Sequence, residues 1–572
     1  MDYSIKIGGE AGQGIQTVGD TLSRVFARSG YHVFTHQDYE SRVRGGHNFY
    51  QVRVSDRPVS ASRSRIDILV AFDRESIELH AAELSEQGQI IYDAATLKQK
   101  HEELQFLDIP FTALAVEHGG SGIMANTVAT GAILGMLGME MDILLHIIRE
   151  TFHKKGEEII RANTSAALAG YDVAVRQCIT CSFSASERAE PRMLIAGVDA
   201  VGLGAVASGC KFYAAYPMTP STGIMNYLAG KEKEYGIVVE QAEDEIAAIN
   251  MTLGASFAGV RAMTASSGGG FALMVEGLSL AGMTETPVVI GFAQRPGPAT
   301  GLPTRTEQGE LQFLISAGHG EFPRVIFAPG DPEQAVHLTN RAFDLAEKYQ
   351  IPAFIVFDQY LGDSQWTYRE LDLKKLVNTD YRLRADALKD VTVYKRYAYA
   401  ENGISPLAVP GDSKHLVVAD SDEHDEEGHI IEDAETRNRM VRKRFHQKIP
   451  RIRQEIRPPL KYGAESPEVV LIGWGSTYGI MKEAVDVLSG TRAVAMLHFS
   501  ELWPFPGVDA FDYISFLKNA GRTICIEQNA TGQFARLMKS ETGFEISSGI
   551  HRFDGRPFTV EDLLGDIHAC LG

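Results

Sequence analysis

Short apolar runs recur from one end of this chain to the other, and most stop at a glycine or proline turn that opens a helical stretch; FYAAY, VRAMTA, PVVIGFA, PAFIVFD and VVLIGWG are examples. A short run that is apolar without alternation reads as a strand covered on both faces, and parallel strands covered in this way need helical crossovers. The pattern predicts α/β domains built on largely parallel sheets. The 55 glycines cluster at these turns and show no collagen-like period. A chain of 572 residues is also too long for one core, because single cores stop growing beyond roughly 250–300 residues.

Three α/β domains of one architectural type are read, over 1–180, 193–371 and 466–572. In the first, a strand near Ile5 to Ile7 leads through a glycine turn into a helix from Ile15 to Ala27. Strands at YHVFTH, DILVAF and QIIYDA then form a mostly parallel sheet, closed by a helix around Ala162 to Val175. The polar stretch SFSASERAEPR reads as a linker. Residues 372–465 form a charged connecting segment, in which the acidic run DSDEHDEEGHIIEDAE precedes the basic run RNRMVRKRFHQKIPRIRQEIR. A solvated loop leading into a charged helix is the favoured reading; pairing of the two runs with each other or with a partner subunit is the other.

With 55 basic against 74 acidic side chains, a formal charge of −19, nucleic acid and anionic membrane surfaces are excluded as main partners. The opening MDYSIKIGGE is charged where a signal peptide is apolar, and no long apolar run follows, so a cytoplasmic protein is expected. Five cysteines are too few for a disulfide framework. Cys178 and Cys181 make a C-x-x-C pair, read as structural or incidental rather than redox-active or metal-binding, since no second pair lies near in sequence to complete about four ligands.

Two glycine motifs sit in the first domain. KIGGEAGQGIQTVG places Gly12 and its neighbours between strand and helix, where free N–H groups can hold a phosphate. As a dinucleotide fingerprint it fails, because Thr17 stands where a third glycine is needed and Glu10 puts an anion near the pyrophosphate. SRVRGGHNFYQVRV sets Arg42 and Arg44 beside Gly45 and Gly46, a combination able to approach an acidic group or to serve as a plain turn. In the second domain, FYAAY runs straight into Tyr216, Pro217, Met218, Thr219 and Pro220. Each proline fixes its own φ and extends the residue before it, so Tyr216 and Thr219 should be held rigidly at a strand's carboxyl end, where open α/β sheets bind ligands. Thr219 as N-cap with Pro220 at the first helical position explains the same pattern by helix initiation.

Three motifs in order carry a resemblance: YPMTPST, then VVEQAEDEIAAINMTLGASFAGVRAMTASSGGGFALMVEG, then PVVIGFAQRPGPATGLPTRTEQGEL. Together they are similar to the alpha subunits of 2-oxoacid:ferredoxin oxidoreductases, with Met218 in place of the more frequent isoleucine; the N-terminal glycine motifs resemble the family's gamma domain, and NATGQFARLM after ICIEQ resembles its transketolase-C-terminal-like domain. The resemblance implies a gamma domain over 1–180 with a coenzyme A role, for which Gly12, Arg44, Gly45 and Gly46 are candidates. It also implies a domain over 193–371 of the type that binds the pyrimidine of thiamine diphosphate, and a C-terminal supporting domain over 466–572.

In EQAEDEIAAIN the resemblance points to Glu245 as the catalytic carboxyl, with Glu243 and Asp244 as competitors. A desolvated carboxyl hydrogen-bonded to the pyrimidine favours the imino tautomer that removes the thiazolium proton; alone, an acidic residue at a helix start would be a dipole partner. Pro217 and Met218 are further cofactor contacts. Thr219, Tyr216 and Arg295 are expected to bind substrate, Arg295 by clamping its carboxylate, while Arg305 is placed to meet a distal carboxylate. The implied reaction converts a 2-oxoacid, 2-oxoglutarate for preference and pyruvate or a broad range otherwise, to acyl-CoA, carbon dioxide and reduced ferredoxin. No GDG with a distant Asn occurs, nor any set of cluster cysteines. A beta subunit must therefore supply Mg2+ and an iron–sulfur cluster, in an (alpha-beta)2 heterotetramer. A nicotinamide or flavin dehydrogenase and a non-catalytic assembly subunit are the rival readings.

Overall fold

A computed structural model describes residues 1–42, 45–178, 181 and 183–571. Among them the strands form three sheets, of eight, seven and five strands, and the chain divides into two compact units. The fold is α/β throughout.

The first unit comprises 1–195, 364–371 and 558–565. Its sheet runs in the order Phe106–Asp108, Leu84–Tyr92, Ile66–Ala71, Asp2–Ala11, Gly45–Ser55, His32–Asp38, Gln365–Tyr368, Met193–Ala196. Helix Ile15–Arg28 covers it with Ile15, Val18, Leu22, Val25 and Phe26, a 3–4 spacing that makes one apolar stripe. Burying the Phe26 ring contributes roughly 2–3 kcal/mol. This sheet is mixed, which corrects the expectation of a mostly parallel one. Gly45–Ser55 pairs antiparallel with both Asp2–Ala11 and His32–Asp38. The connection between His32–Asp38 and Gly45–Ser55 is too short for the crossover that parallel pairing requires.

The second unit comprises 196–363, 372–557 and 566–572 and contains the other two sheets. The seven-stranded sheet has the order Glu501–Trp503, Val325–Phe327, Pro352–Asp358, Val288–Gln294, Arg261–Ser266, Cys210–Ala215, Val238–Gln241. Its strands are parallel apart from Glu501–Trp503, which pairs antiparallel with Val325–Phe327. Every residue of Val288–Gln294 and of Pro352–Asp358 is buried, as expected of strands covered on both faces. The five-stranded sheet is Leu460–Gly463, Val494–Phe499, Val469–Trp474, Arg522–Glu527, Ser548–His551. One apolar cluster serves both sheets, joining Phe271 and Phe292 to Trp474, Phe499 and Phe534.

The charged segment departs from the favoured reading. Helix Ala434–Val441, a π-helical turn Arg442–Gln447 and helix Lys448–Glu455 follow one another. Lys443, Arg444 and Lys448 are buried rather than solvated. Lys443 and Lys448 reach the buried Glu285 carboxylate at 2.7 and 2.5 Å. Arg444 grips Glu423 of the acidic run with two bonds of 2.7 Å. The two runs thus pair with each other, and a buried carboxylate from outside both draws the basic run inward.

Candidate functional site

Four neighbouring parallel strands of the seven-stranded sheet, Val238–Gln241, Cys210–Ala215, Arg261–Ser266 and Val288–Gln294, end at the same edge. The sequence motifs follow directly after them. Helix Glu245–Phe257 is capped by Asp244, whose carboxylate accepts from the Ala247 N–H at 2.7 Å. Glu243 is exposed. Of the three acidic residues, then, one is solvated, one is spent on the cap, and Glu245, only 4% exposed, turns inward. The Ser266 hydroxyl donates to its Oε1 at 3.5 Å.

Room for that carboxyl comes from glycine. A Cβ on Gly270 would lie 2.3 Å from Glu245 Oε1 and 2.1 Å from Ser266 Oγ. Two residues earlier in the same helix, Gly268–Met283, a Cβ on Gly268 would lie 1.5 Å from Oε1 of a second carboxyl, Glu310. The run SGGG therefore leaves separate spaces for two carboxyl groups, one at Gly268 and one at Gly270, which point about 160° apart around the helix. Burial, followed by the charge of Glu307, pushes Glu310 up to about 7 despite the opposing pull of Arg295.

The YPMTP segment leaves Cys210–Ala215 as expected but does not start the helix. Ser221 closes a turn onto the Met218 carbonyl, with its N–H at 2.8 Å and its hydroxyl at 2.7 Å. The helix runs from Thr222 to Ala229 with Ser221 at its N-cap position. Thr219 is therefore not the cap, because the turn inserts two residues before helical geometry begins. Met218 Sδ approaches Ser266 Oγ at 3.7 Å, which brings the motif to Glu245. Arg295 donates from Nη1 to the Thr219 carbonyl at 2.8 Å, tying the third motif to the first. Burial lowers the Arg295 pKa, opposed by Glu310. Pro217 is half-buried and Tyr216 is 41% exposed. Arg305 lies further along the Arg295 loop, its stem packed against the backbone of Gly555.

That loop is anchored from the five-stranded sheet. The Gln308 side chain donates to Trp474 O at 2.8 Å and accepts from Gln528 N–H at 3.0 Å. Asn529 and Gln533 bond the carbonyls of Gln308 and Gly309 at 3.2 and 2.5 Å. Sequence reading passed over Glu310, Ser266, the room made by Gly268 and Gly270, and this clamp. Its available signal was TASSGGGF, three glycines immediately after a buried strand, where no turn needs so many.

In the first unit, Gly12 has φ +97° and lines a cavity of about 330 Å³ together with Glu10, Gln16, Asp38, Glu40 and Arg42. Gly45 and Gly46, at φ +74° and +76°, do not line it; a Cβ on Gly46 would lie 2.4 Å from Glu40 Oε2, whereas one on Gly45 would meet nothing within 4 Å. Arg42 is paired with Glu40 at 2.9 Å. Arg44 lies outside the described residues. Cys178 and Cys181 form a disulfide with each other.

The chain is similar to known proteins over its whole length. A family model described as pyruvate flavodoxin/ferredoxin oxidoreductase, thiamine diphosphate-binding, matches residues 203–443, and one described as pyruvate ferredoxin/flavodoxin oxidoreductase matches 4–173. The alpha subunit of a 2-oxoacid:ferredoxin oxidoreductase from Saccharolobus solfataricus is 32% identical over 100% of this chain and 98% of its own. The chain belongs to the 2-oxoacid:ferredoxin oxidoreductase family. A Sulfolobus alpha subunit is likewise 32% identical, over 98% of this chain and 96% of its own. A solved 2-oxoglutarate:ferredoxin oxidoreductase from Magnetococcus marinus, with 2-oxoglutarate, coenzyme A and succinyl-CoA bound, matches 100% of both chains at 32% identity and a TM-score of 0.91. This family member is therefore an oxidoreductase subunit whose 203–443 region is of the thiamine diphosphate-binding type. Among the described residues no helix is long and apolar enough to cross a membrane.

Proposed function

We propose that this chain provides the pyrimidine-side half of a thiamine diphosphate site that oxidatively decarboxylates a 2-oxoacid, 2-oxoglutarate for preference, yielding acyl-CoA and reduced ferredoxin. A beta subunit carries Mg2+, the diphosphate site and the iron–sulfur cluster, within an (alpha-beta)2 heterotetramer in the cytoplasm. The observation that carries the reading is the buried Glu245 carboxyl resting on Gly270, at the carboxyl ends of four adjacent parallel strands.

The residues present suit the cofactor. A carboxyl sheltered from water, lodged in the space that Gly270 leaves, can share a proton with a pyrimidine ring nitrogen without competition from solvent. Pro217 and Met218 furnish an apolar wall beside it. Thiamine diphosphate, when bound, supplies the decarboxylation chemistry. Arg295 and Thr219 hold the substrate's 1-carboxylate; one guanidinium N–H already fixes Arg295 to the Thr219 carbonyl, and its other donors remain for a charge-assisted pair. Tyr216 stands at the rim, and Arg305 takes the distal carboxylate. A neighbour solved with 2-oxoglutarate bound supports that substrate. Of the five cysteines, Cys178 and Cys181 are bonded to each other and Cys210, Cys525 and Cys570 are free, the first two of these buried, which supports placing the cluster on the beta chain.

Coenzyme A is assigned to the glycine-turn cavity of the first unit. Glu10, Asp38 and Glu40 outnumber Arg42 there, so this lining suits the hydrogen-bond donors of the pantetheine amides or adenine better than the phosphates. In the complex co-purified with its beta subunit, Glu245→Gln is expected to lower 2-oxoacid decarboxylation by about 10²-fold or more while assembly persists. Full activity in that variant would make this chain a scaffold.

A further inference from the structure

Glu310 is the second carboxyl lodged against the glycine run, and the reading above gives it no task. Its Oε1 occupies the space beside Gly268 where any other residue would place a Cβ. Its Oε2 is buried and has no hydrogen-bond partner, and the hydroxyl of Ser267, a fully buried residue at the start of the same helix, is equally unpartnered. The Glu310 backbone N–H donates to Gln294 Oε1 at 3.2 Å, so its backbone is fastened to the residue preceding Arg295. The charges acting on Glu310 are Arg295, from the end of strand Val288–Gln294, whose backbone N–H also bonds the carboxyl, and Glu307 from its own loop. Helix Gly268–Met283 brings no acidic residue in its first turn, and Gln533, packed against the loop from helix Gln533–Thr542, is neutral.

An anionic substrate that pairs with Arg295 adds a carboxylate to a half-buried place already holding Glu307 and Glu310. Carboxylates sharing one cation out of water do not all stay ionised. We propose that Glu310 is a positioning residue for substrate: it takes up a solvent proton as the 2-oxoacid carboxylate pairs with Arg295, freeing the guanidinium from its resident counter-charge. This rests on the reading that Arg295 is the carboxylate clamp. The proton is exchangeable near neutrality, since Glu310 lies at about 7. Glu310 makes and breaks no bond to carbon.

The test uses the co-purified complex and oxamate, a 2-oxoacid-like carboxylate that does not decarboxylate, with oxamide as its uncharged counterpart. Calorimetric titration in buffers of different ionisation heat, at about pH 7.5, counts protons taken up on binding. Wild-type enzyme is expected to take up most of one proton with oxamate and none with oxamide, and its KM for the 2-oxoacid to climb by up to about tenfold per pH unit above roughly 7. In Glu310→Gln, both the uptake and the pH slope of KM should vanish, whereas the pH slope of kcat stays as in the wild type. A wild type that binds oxamate without proton uptake overturns the proposal with no variant needed. So does Glu310→Gln with uptake and KM slope intact. Failure of the complex to bind either oxamate or a 2-oxoacid would remove Arg295's role as clamp along with it, a result distinct from binding without protons.

Discussion

At Gly270 the absence of a single methyl group decides whether Glu245 can occupy its position. With a Cβ there, both Glu245 Oε1 and Ser266 Oγ would be closer than van der Waals contact permits, so Gly270→Ala must displace the carboxyl. Misplacing a reacting group by about 1 Å costs on the order of 10²-fold in rate, and that is the loss in kcat expected of this variant. Gly269→Ala is the internal comparison, since a Cβ at Gly269 would meet only Ala299 O, at 3.9 Å. Equal activity in the two variants would show that Glu245 needs no such room. The choice among Glu243, Asp244 and Glu245 was half legible in the motif: spacing placed three carboxyls at a helix start, but only the cap made by Asp244 and the burial of Glu245 separated their tasks.

The π-helical turn Arg442–Gln447 explains how one carboxylate can hold two lysines five residues apart. On an α-helix such residues point about 140° apart; the wider i→i+5 winding turns them to one side, and Lys443 and Lys448 both reach Glu285. Burial pushes the Glu285 pKa upward, but the two lysines and Arg396 outweigh it and hold the carboxyl well below the usual range. Burial lowers Lys443 to about 8 against the pull of the same carboxylate. Removing one partner of a buried pair typically costs about 3–5 kcal/mol. Lys448→Met should lower the denaturant midpoint of the complex correspondingly, and an unchanged midpoint would contradict the pairing. Composition predicted a solvated basic run here, because nothing local to that run announces a carboxylate 158 residues upstream of Lys443.

The two sheets of the second unit meet through polar contacts as well as through their shared apolar core. Asp358, 1% exposed, accepts from Leu361 N–H at 2.9 Å, from Gln528 at 3.2 Å and from the Ser476 hydroxyl. Burial pushes it up to about 6. A folded-state pKa above the unfolded one means that the folded protein binds more protons between the two values, so this stabilisation is complete below about 4 and is lost as pH rises through about 6. His498 works oppositely, since burial lowers it to about 4 and stability is gained as pH rises through that window. Comparing Asp358→Asn with the wild type isolates the first term. Relative to the variant, the wild type should lose on the order of 3 kcal/mol between pH ~4 and ~6 and nothing further above. Denaturation of the complex across that range checks it, and parallel curves would rule it out.

Strand and helix alternation, the strand-end position of YPMTP, and the family of this chain all lie in local sequence, because apolar period, turn chemistry and motif order are local properties. The rest depended on residues that meet only after folding. The antiparallel strand Gly45–Ser55 pairs with partners on both sides. Glu310 comes to rest beside Gly268, more than forty residues earlier, and Gln308 is gripped by Gln528 across 220. Pattern along a chain reveals which surfaces must be covered; which carboxyl finds the one space free of side chain, and which buried cation finds its anion, is settled by packing in three dimensions.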